Sequence, residues 1–116
     1  MATDVGRPLQ EAVGVFESLA DGTRLRLLFL LAAGEANVTA LCARTGLAQP
    51  TVSHHLGLLR LNNVIGNRRS GKQVFYTLNG RVDTGDGSEL NIRVDNFDIV
   101  IKPKVDALEP AQTSPA

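Results

Sequence analysis

The sequence predicts an α+β fold, mainly α, in which four helices precede two β-hairpins. Apolar residues recur at spacings of three and four along the first half of the chain, which is the pattern of amphipathic helices. In the second half, β-favouring residues twice flank a short turn, which predicts two hairpins. The 116 residues fit one small domain.

Charge is segregated along a chain whose formal sum is zero. No Asp or Glu occurs between Ala36 and Val82, and this stretch carries a net charge of +6. Its basic residues are Arg44, Arg60, Arg68, Arg69, Lys72 and Arg81. Residues 1–35 and 83–116 carry −2 and −4. A neutral protein with one basic face suits a phosphate backbone on that face.

The first two predicted helices supply apolar surfaces. Over residues 9–20, one stripe contains Leu9, Val13, Phe16 and Leu19 or Ala20. Such a helix needs a surface to cover, and we expect a second subunit to be part of it. Residues 21–23 offer turn and capping side chains before a second helix over 24–33, whose apolar positions almost encircle its axis. Gly34 is expected to end it.

A short turn joins the third and fourth predicted helices. The third begins at residue 38 or 39 with Thr39 available as its cap, and Gly46 closes it. The turn over 45–48 is short and contains glycine, so the next helix must leave at a steep angle, as in a helix-turn-helix. In the fourth helix, the buried side is expected to hold Val52, Leu56 and Leu59.

The other sides of the fourth helix are polar. Four of its side chains can hydrogen-bond base edges or phosphates in a major groove: Gln49, Thr51, Ser53 and His54. The alternative is an ordinary exposed helical face. His55 follows His54 at about 100° around the axis, so the two cannot easily chelate one ion. We expect His55 to brace the helix or to reach a phosphate.

A basic hairpin follows the fourth helix. Its arms span residues 64–69 and 72–78 around Ser70 and Gly71, and its tip carries Arg68, Arg69 and Lys72. These charges could merely aid solubility, but their position after a recognition helix favours contact with phosphate or the minor groove. Arg44 and Arg60 are weaker phosphate candidates. The pattern is that of a winged helix-turn-helix.

A second hairpin is predicted over residues 89–102, after a polar loop that lacks the carboxylate spacing of a calcium site. A turn at Asp95 and Asn96 aligns every large apolar side chain on one face, and opposite charges meet on the other. With helix one, this apolar face is the predicted dimer contact. Its residues are Leu90, Ile92, Phe97, Ile99 and Ile101.

The chain is therefore divided into a flexible N-terminus (1–8), a DNA-binding domain (9–80), a loop and dimerisation hairpin (81–102) and a flexible tail (103–116). A single cysteine, Cys42, excludes an intramolecular disulfide. The longest apolar run, residues 27–33, is too short to cross a bilayer, and no signal peptide is apparent, so we expect a cytoplasmic protein. No nucleophile with a base stands out, so an enzyme is not expected.

Several separated motifs occur in the order typical of one family: residues 19–28, Leu41 and Cys42, residues 49–56, and Leu59 with Arg60. Over residues 9–79, the chain resembles the ArsR-type (ArsR/SmtB) winged-helix repressors. The resemblance implies a homodimer that binds operator DNA and responds to an inducer such as a metal ion. It also places Cys42 where such sensors use a thiolate ligand, but there is no second cysteine and no C-terminal histidine.

Two functions stay open at this point. The first is a homodimeric, sequence-specific DNA-binding regulator, expected to be a repressor, that recognises an inverted repeat in double-stranded operator DNA. Its effector is unknown, a divalent transition-metal ion being one candidate, and no cofactor is expected to be required for folding. The alternative is a winged-helix protein-interaction module. Salt distinguishes them, because DNA binding through basic groups weakens steeply with ionic strength.

Overall fold

The computed structural model describes residues 6–85, 88–95 and 97–104. Within these residues the chain forms four helices and two three-stranded antiparallel sheets. In chain order the elements are α1 (Gly6–Leu19), α2 (Gly22–Ala32), β1 (Ala36–Asn37), α3 (Val38–Thr45), α4 (Gln49–Leu61), β2 (Ile65–Ser70), β3 (Gln73–Leu78), β4 (Val82–Asp83), β5 (Leu90–Val94) and β6 (Phe97–Ile101). The predicted class, a winged helix-turn-helix with a second hairpin, is confirmed.

Side chains just before α2 and α3 cap these helices. Asp21 accepts a hydrogen bond from the backbone N–H of Arg24 at 3.0 Å, which satisfies one of the free donors of the first turn of α2. For α3, the cap is Asn37, whose side-chain oxygen accepts from the N–H of Ala40 at 2.8 Å. The prediction that Thr39 caps α3 is therefore wrong, because the helix begins one residue before Thr39.

The helix-turn-helix is formed by α3 and α4. Gly46 ends α3 with φ of 74°, a left-handed conformation that glycine adopts without a steric penalty. The predicted inner side of α4 is confirmed, since Val52, Leu56 and Leu59 are fully buried. They pack in one core with leucines of α2 and α3, and this core fixes the direction in which the outer side of α4 points.

The first sheet has the strand order β1, β3, β2 and contains the wing. Strands β2 and β3 pair in the register Arg69 to Val74 and Ser70 to Gln73. The turn between them contains Gly71 with φ of 63°. The short strand β1 adds to the other edge of β3 by pairing Ala36 with Tyr76, and it brings the residues after α2 to the base of the wing.

The second sheet has the order β4, β5, β6, and its hairpin has the predicted register. Val94 lies opposite Phe97, and Ile92 opposite Ile99. The Glu89 carboxylate lies 3.9 Å from Nζ of Lys102, as the register requires. The turn residue Asn96 lies outside the described residues.

The apolar face of this hairpin is used inside the protomer. Leu90 and Ile92 have no exposed surface and Ile99 is 8% exposed, because β5 and β6 pack against α1. Phe97 and Ile101 are partly buried against the same core. This burial corrects the assignment of the face to a contact between subunits: in this protomer its side chains form the core.

Helix α1 packs on β5 and β6, and its inner side carries Ala12, Val15 and Leu19, all of which are buried. Its predicted stripe is a separate, exposed surface, in which Leu9, Val13 and Phe16 are 46, 52 and 56% exposed. Helix α1 begins at Gly6, so it includes residues 6–8, and residues 1–5 of the predicted flexible N-terminus lie outside the described residues. The tail prediction for residues 105–116 lies outside the described residues.

Candidate nucleic-acid interface

The outer side of α4 presents polar side chains in its first two turns. Gln49, Thr51 and His54 are exposed, and Ser53 is partly buried. Nε2 of Gln49 donates to Oγ of Ser53 at 3.1 Å, so two of the predicted base-reading groups are held together on one helical turn. Hydrogen-bonding side chains that project from one helix are what is needed to read base edges in a major groove.

Further along α4, the outer side has a position without a side chain. Gly57 is exposed, and a Cβ added there would meet no atom within 4 Å. Glycine is unfavourable inside a helix, and no close packing within the protomer requires it here. The position therefore leaves room for another backbone to approach the helix. Arg60 is exposed in the last turn of α4.

His55 points in a different direction from His54, and its surroundings also differ. It is partly buried, and its Nδ1 lies 3.1 Å from Nη1 of Arg24 on α2. The Asp21 carboxylate lies 3.9 Å from the same nitrogen. The backbone hydrogen bond from Arg24 lowers the pKa of Asp21, and the charge of the Arg24 guanidinium acts in the same direction. His55 thus braces α4 against the start of α2.

The three basic side chains of the wing differ in whether they have a partner within the protomer. Arg69 and Lys72 are exposed, and among the described residues no hydrogen bond or ion pair is found for either side chain. Arg68 is bound: its guanidinium donates to both carboxylate oxygens of Glu35, at 2.9 and 2.6 Å. Two of the three predicted wing cations are therefore free to meet a phosphate.

Sequence reasoning missed Glu35 because it lies 33 positions before Arg68 and just outside the acid-free stretch. The Arg68 guanidinium holds the pKa of Glu35 below its ordinary range through hydrogen bonding and charge, and the carboxylate raises the pKa of Arg68. Pairing of β1 with β3 brings the two side chains together, and no local pattern in the sequence signals it.

The remaining basic residues differ in availability. Arg44 is exposed in the last turn of α3, and its carbonyl accepts a hydrogen bond from Arg26 at 2.8 Å. Arg81 is directed into the chain, since its Nε donates to the Arg93 carbonyl at 2.8 Å and its Nη2 lies 4.0 Å from the Glu11 carboxylate. Arg44 and Arg60 remain candidates for phosphate contact.

A metal centre has little support within one protomer. Cys42 is partly buried and is not part of a disulfide. Across the described parts of the chain, no group of three or more His, Cys, Asp or Glu residues is placed to hold an ion.

In those same parts, none of the helices has the length and apolar character needed to span a membrane.

Comparison with known sequences agrees with this geometry. Residues 21–65 match the family model described as bacterial regulatory protein, arsR family. The transcriptional repressor SdpR of Bacillus subtilis is 34% identical over 68 residues, which cover 59% of this chain and 76% of that protein. The HTH-type transcriptional regulator KmtR of Mycobacterium tuberculosis is 42% identical over 66 residues, but the match spans only 51% of its length.

A solved structure agrees as well. The homodimeric winged helix-turn-helix DNA-binding domain of Mb0332 from Mycobacterium bovis, described as a possible ArsR-family regulator, superposes with a TM-score of 0.63. It is 35% identical, and the superposition covers 69% of this chain and 77% of that one. The superposed chain is a DNA-binding domain, which agrees with the polar outer side of α4 and the basic wing described above.

Proposed function

Because this chain belongs to the arsR family of bacterial regulatory proteins, we propose that it is a homodimeric, sequence-specific DNA-binding repressor of transcription. The observation that carries this proposal is the pairing of a polar recognition surface on α4 with the free cations Arg69 and Lys72 on the adjoining wing. Both lie in the stretch of the chain that has no acidic residue. We place the protein in the cytoplasm, where its target DNA is.

In the proposed complex, α4 enters a major groove with its N-terminal turns toward the bases. Gln49, Thr51, Ser53 and His54 then contact base edges, which supplies sequence selectivity. The wing cations contact phosphates or the adjacent minor groove, which supplies affinity and register without selectivity. Arg44 and Arg60 flank the groove as further phosphate contacts.

The proposed dimer contact is the exposed stripe of Leu9, Val13 and Phe16 on α1. About half of each side chain is exposed, and large contiguous apolar surface on a small protein favours association. A two-fold dimer presents two copies of α4, so the operator is expected to be an inverted repeat. Its half-sites should be separated by about one helical turn or a multiple of it.

The proposal assigns no metal to the protomer and requires no cofactor for folding. For a divalent transition-metal ion acting as an inducer, the proposed arrangement is a site that takes carboxylate and histidine ligands from both subunits. Cys42 is the weak candidate for a thiolate ligand.

Fluorescence anisotropy tests the proposal. Purified protein is titrated into duplex DNA from its own promoter region and into a scrambled duplex over a salt series, with metal added or chelated. Tight, selective binding that weakens with salt supports the repressor. Replacing both Arg69 and Lys72 with Gln removes two phosphate contacts from each protomer of the dimer, so it should reduce the slope of log K against log salt by about 3.6, at about 0.9 per phosphate contact.

The alternative function makes the opposite prediction. A protein-interaction module would bind neither duplex selectively, and its association with a protein partner through apolar surface would change little with salt. Negligible binding to both duplexes at every salt concentration would reject the repressor.

A further inference from the structure

We propose that Glu35 acts as an internal substitute for a DNA phosphate: it occupies Arg68 and thereby sets how much positive charge the wing offers to DNA. The inference rests on the proposed function, and it identifies Glu35 as a residue that limits DNA affinity although it makes no contact with DNA. It also removes Arg68 from the set of freely available phosphate ligands.

The geometry of the pair is that of phosphate recognition. Nε and Nη2 of Arg68 donate to separate oxygens of one carboxylate, at 2.9 and 2.6 Å. This two-point arrangement is the one that guanidinium groups also use for phosphate. The Arg68 guanidinium carbon also lies 4.9 Å from the centre of the Phe75 ring, which is its partner across β2 and β3. Arg68 is thus held between an anion and an aromatic face.

The position of Glu35 is fixed by the backbone. The next residue, Ala36, is the first of β1 and pairs with Tyr76 on the central wing strand. Asn37 adds a side-chain hydrogen bond of 2.6 Å to Gln73 at the start of that strand. The pairing of β1 with β3 therefore brings Glu35 to the wing.

The pair is open to solvent, since the side chains of Arg68 and Glu35 are 52 and 42% exposed. Exposed ion pairs are weak and are screened by salt, so a DNA phosphate can compete for Arg68. As long as Glu35 keeps Arg68, the charge of Arg68 is neutralised and the wing lacks one phosphate contact. Glu35 therefore opposes DNA binding.

The test uses the full chain and a duplex from its own promoter region, over a salt series. Glu35→Gln should bind several-fold more tightly at low salt, up to about fivefold for each protomer of the dimer, the range expected for one exposed pair. The slope of log K against log salt should steepen by about 1.8, because one more phosphate contact forms in each protomer of the dimer, at about 0.9 per contact. A merely structural role of Glu35 would not change this slope.

A double variant tests whether the gain in binding depends on Arg68. Glu35→Gln combined with Arg68→Gln should return the slope to the wild-type value, since the added contact requires Arg68. Glu35→Asp, which keeps the charge, should return affinity toward wild type. Asp98→Asn on the other sheet changes the net charge equally and should leave binding unchanged. Circular dichroism and a thermal melt of each variant establish that it is folded.

If the wild-type protein binds DNA, two results would overturn the inference. One is an unchanged affinity and slope for Glu35→Gln, which would mean that Arg68 has no role at the DNA. The other is weaker binding, which would mean that Glu35 aims Arg68 at the groove instead of occupying it. Failure of wild type to bind any duplex would reject the proposed function itself, and this inference with it.

Discussion

Nη1 of Arg24 lies 3.1 Å from Nδ1 of His55, and this contact joins the second helix to the recognition helix. Arginine has donors only, so Nδ1 accepts and the ring is held in one orientation. The same guanidinium donates from Nε to the Ser18 carbonyl at 2.5 Å and from Nη2 to the Glu17 carbonyl at 3.3 Å. One side chain thereby ties the last turn of α1, next to the proposed dimer stripe, to α4.

This contact predicts different roles for the two neighbouring histidines. His55→Ala should weaken binding to operator and scrambled DNA alike, by roughly tenfold for each protomer of the dimer, the worth of one hydrogen bond to a charged group. The salt slope should not change, because His55 positions α4 without touching phosphate. Anisotropy over a salt series, with both duplexes, measures both quantities.

His54 provides the matched control. It is exposed, and its replacement by Ala should cost about 1 to 3 kcal/mol on the operator and far less on scrambled DNA, so selectivity falls. Loss of selectivity in the His55 variant and not in the His54 variant would show that the assignments are reversed.

The exposed stripe of α1 predicts a weak point of the dimer. Phe16→Asp places a charge where an apolar side chain that is 56% exposed is available for a partner. We expect the dimer dissociation constant to rise at least tenfold, since truncation of a central aromatic residue commonly costs about 2 kcal/mol or more. Sedimentation equilibrium measures this, and circular dichroism should show a folded protomer.

Ile92 gives the contrasting result. It has no exposed surface, so Ile92→Ala should lower the free energy of unfolding by about 2 to 5 kcal/mol through the cavity that it leaves. Urea denaturation at several protein concentrations separates a loss of protomer stability from a loss of dimer association. If Ile92→Ala shifted only the association equilibrium and not protomer stability, the burial of the hairpin within the protomer would be refuted.

The cap of α3 predicts that substitutions at two nearby residues differ in their effect on the free energy of unfolding. Asn37→Ala removes the acceptor for the Ala40 N–H and should cost about 1 kcal/mol. Thr39→Ala should change stability by less than about 0.5 kcal/mol, since Thr39 is an exposed residue inside the helix. Equal losses in urea denaturation would restore Thr39 as a cap.

The Asp21 carboxylate predicts a pH dependence of stability. Hydrogen bonding from the Arg24 backbone holds its pKa below the ordinary value of 3.8, so near that pH the unfolded chain binds more protons. The contribution of Asp21 is therefore present above 3.8 and is lost as the pH falls through the lower, folded-state pKa.

Asp21→Asn keeps a capping oxygen but cannot titrate. The stability advantage of wild type over this variant should shrink as the pH is lowered below 3.8, as followed by urea midpoints at each pH. An advantage that stays constant or grows with acid would contradict the assignment.

Local pattern was sufficient to predict the elements that carry strong periodicity. The buried side of α4 follows from the spacing of Val52, Leu56 and Leu59. The register of β5 and β6 follows from alternation, because a slip by one residue would move Ile92 and Ile99 to the wrong face. The candidate recognition residues of α4 were found in the same way, from what the apolar side leaves over.

The features that were missed depend on contacts distant in sequence. A two-residue strand such as β1 has no periodicity, and it exists because β3 offers an edge. The pairing of Arg68 with Glu35 follows from that same contact. An apolar face has the same sequence whether it meets its own core or a second subunit, so the assignment of Ile92 could not be made without the packing of α1.

The packing of α1 on the second hairpin also bears on how the chain reaches its structure. Leu19, at the end of α1, precedes Leu90, at the start of β5, by 71 positions. Contacts so far apart in sequence form slowly, because a long loop must close before they give any stability. During synthesis, the inner face of α1 must wait for the hairpin to emerge. Until then its apolar side chains are available to chaperones and to other unfinished chains.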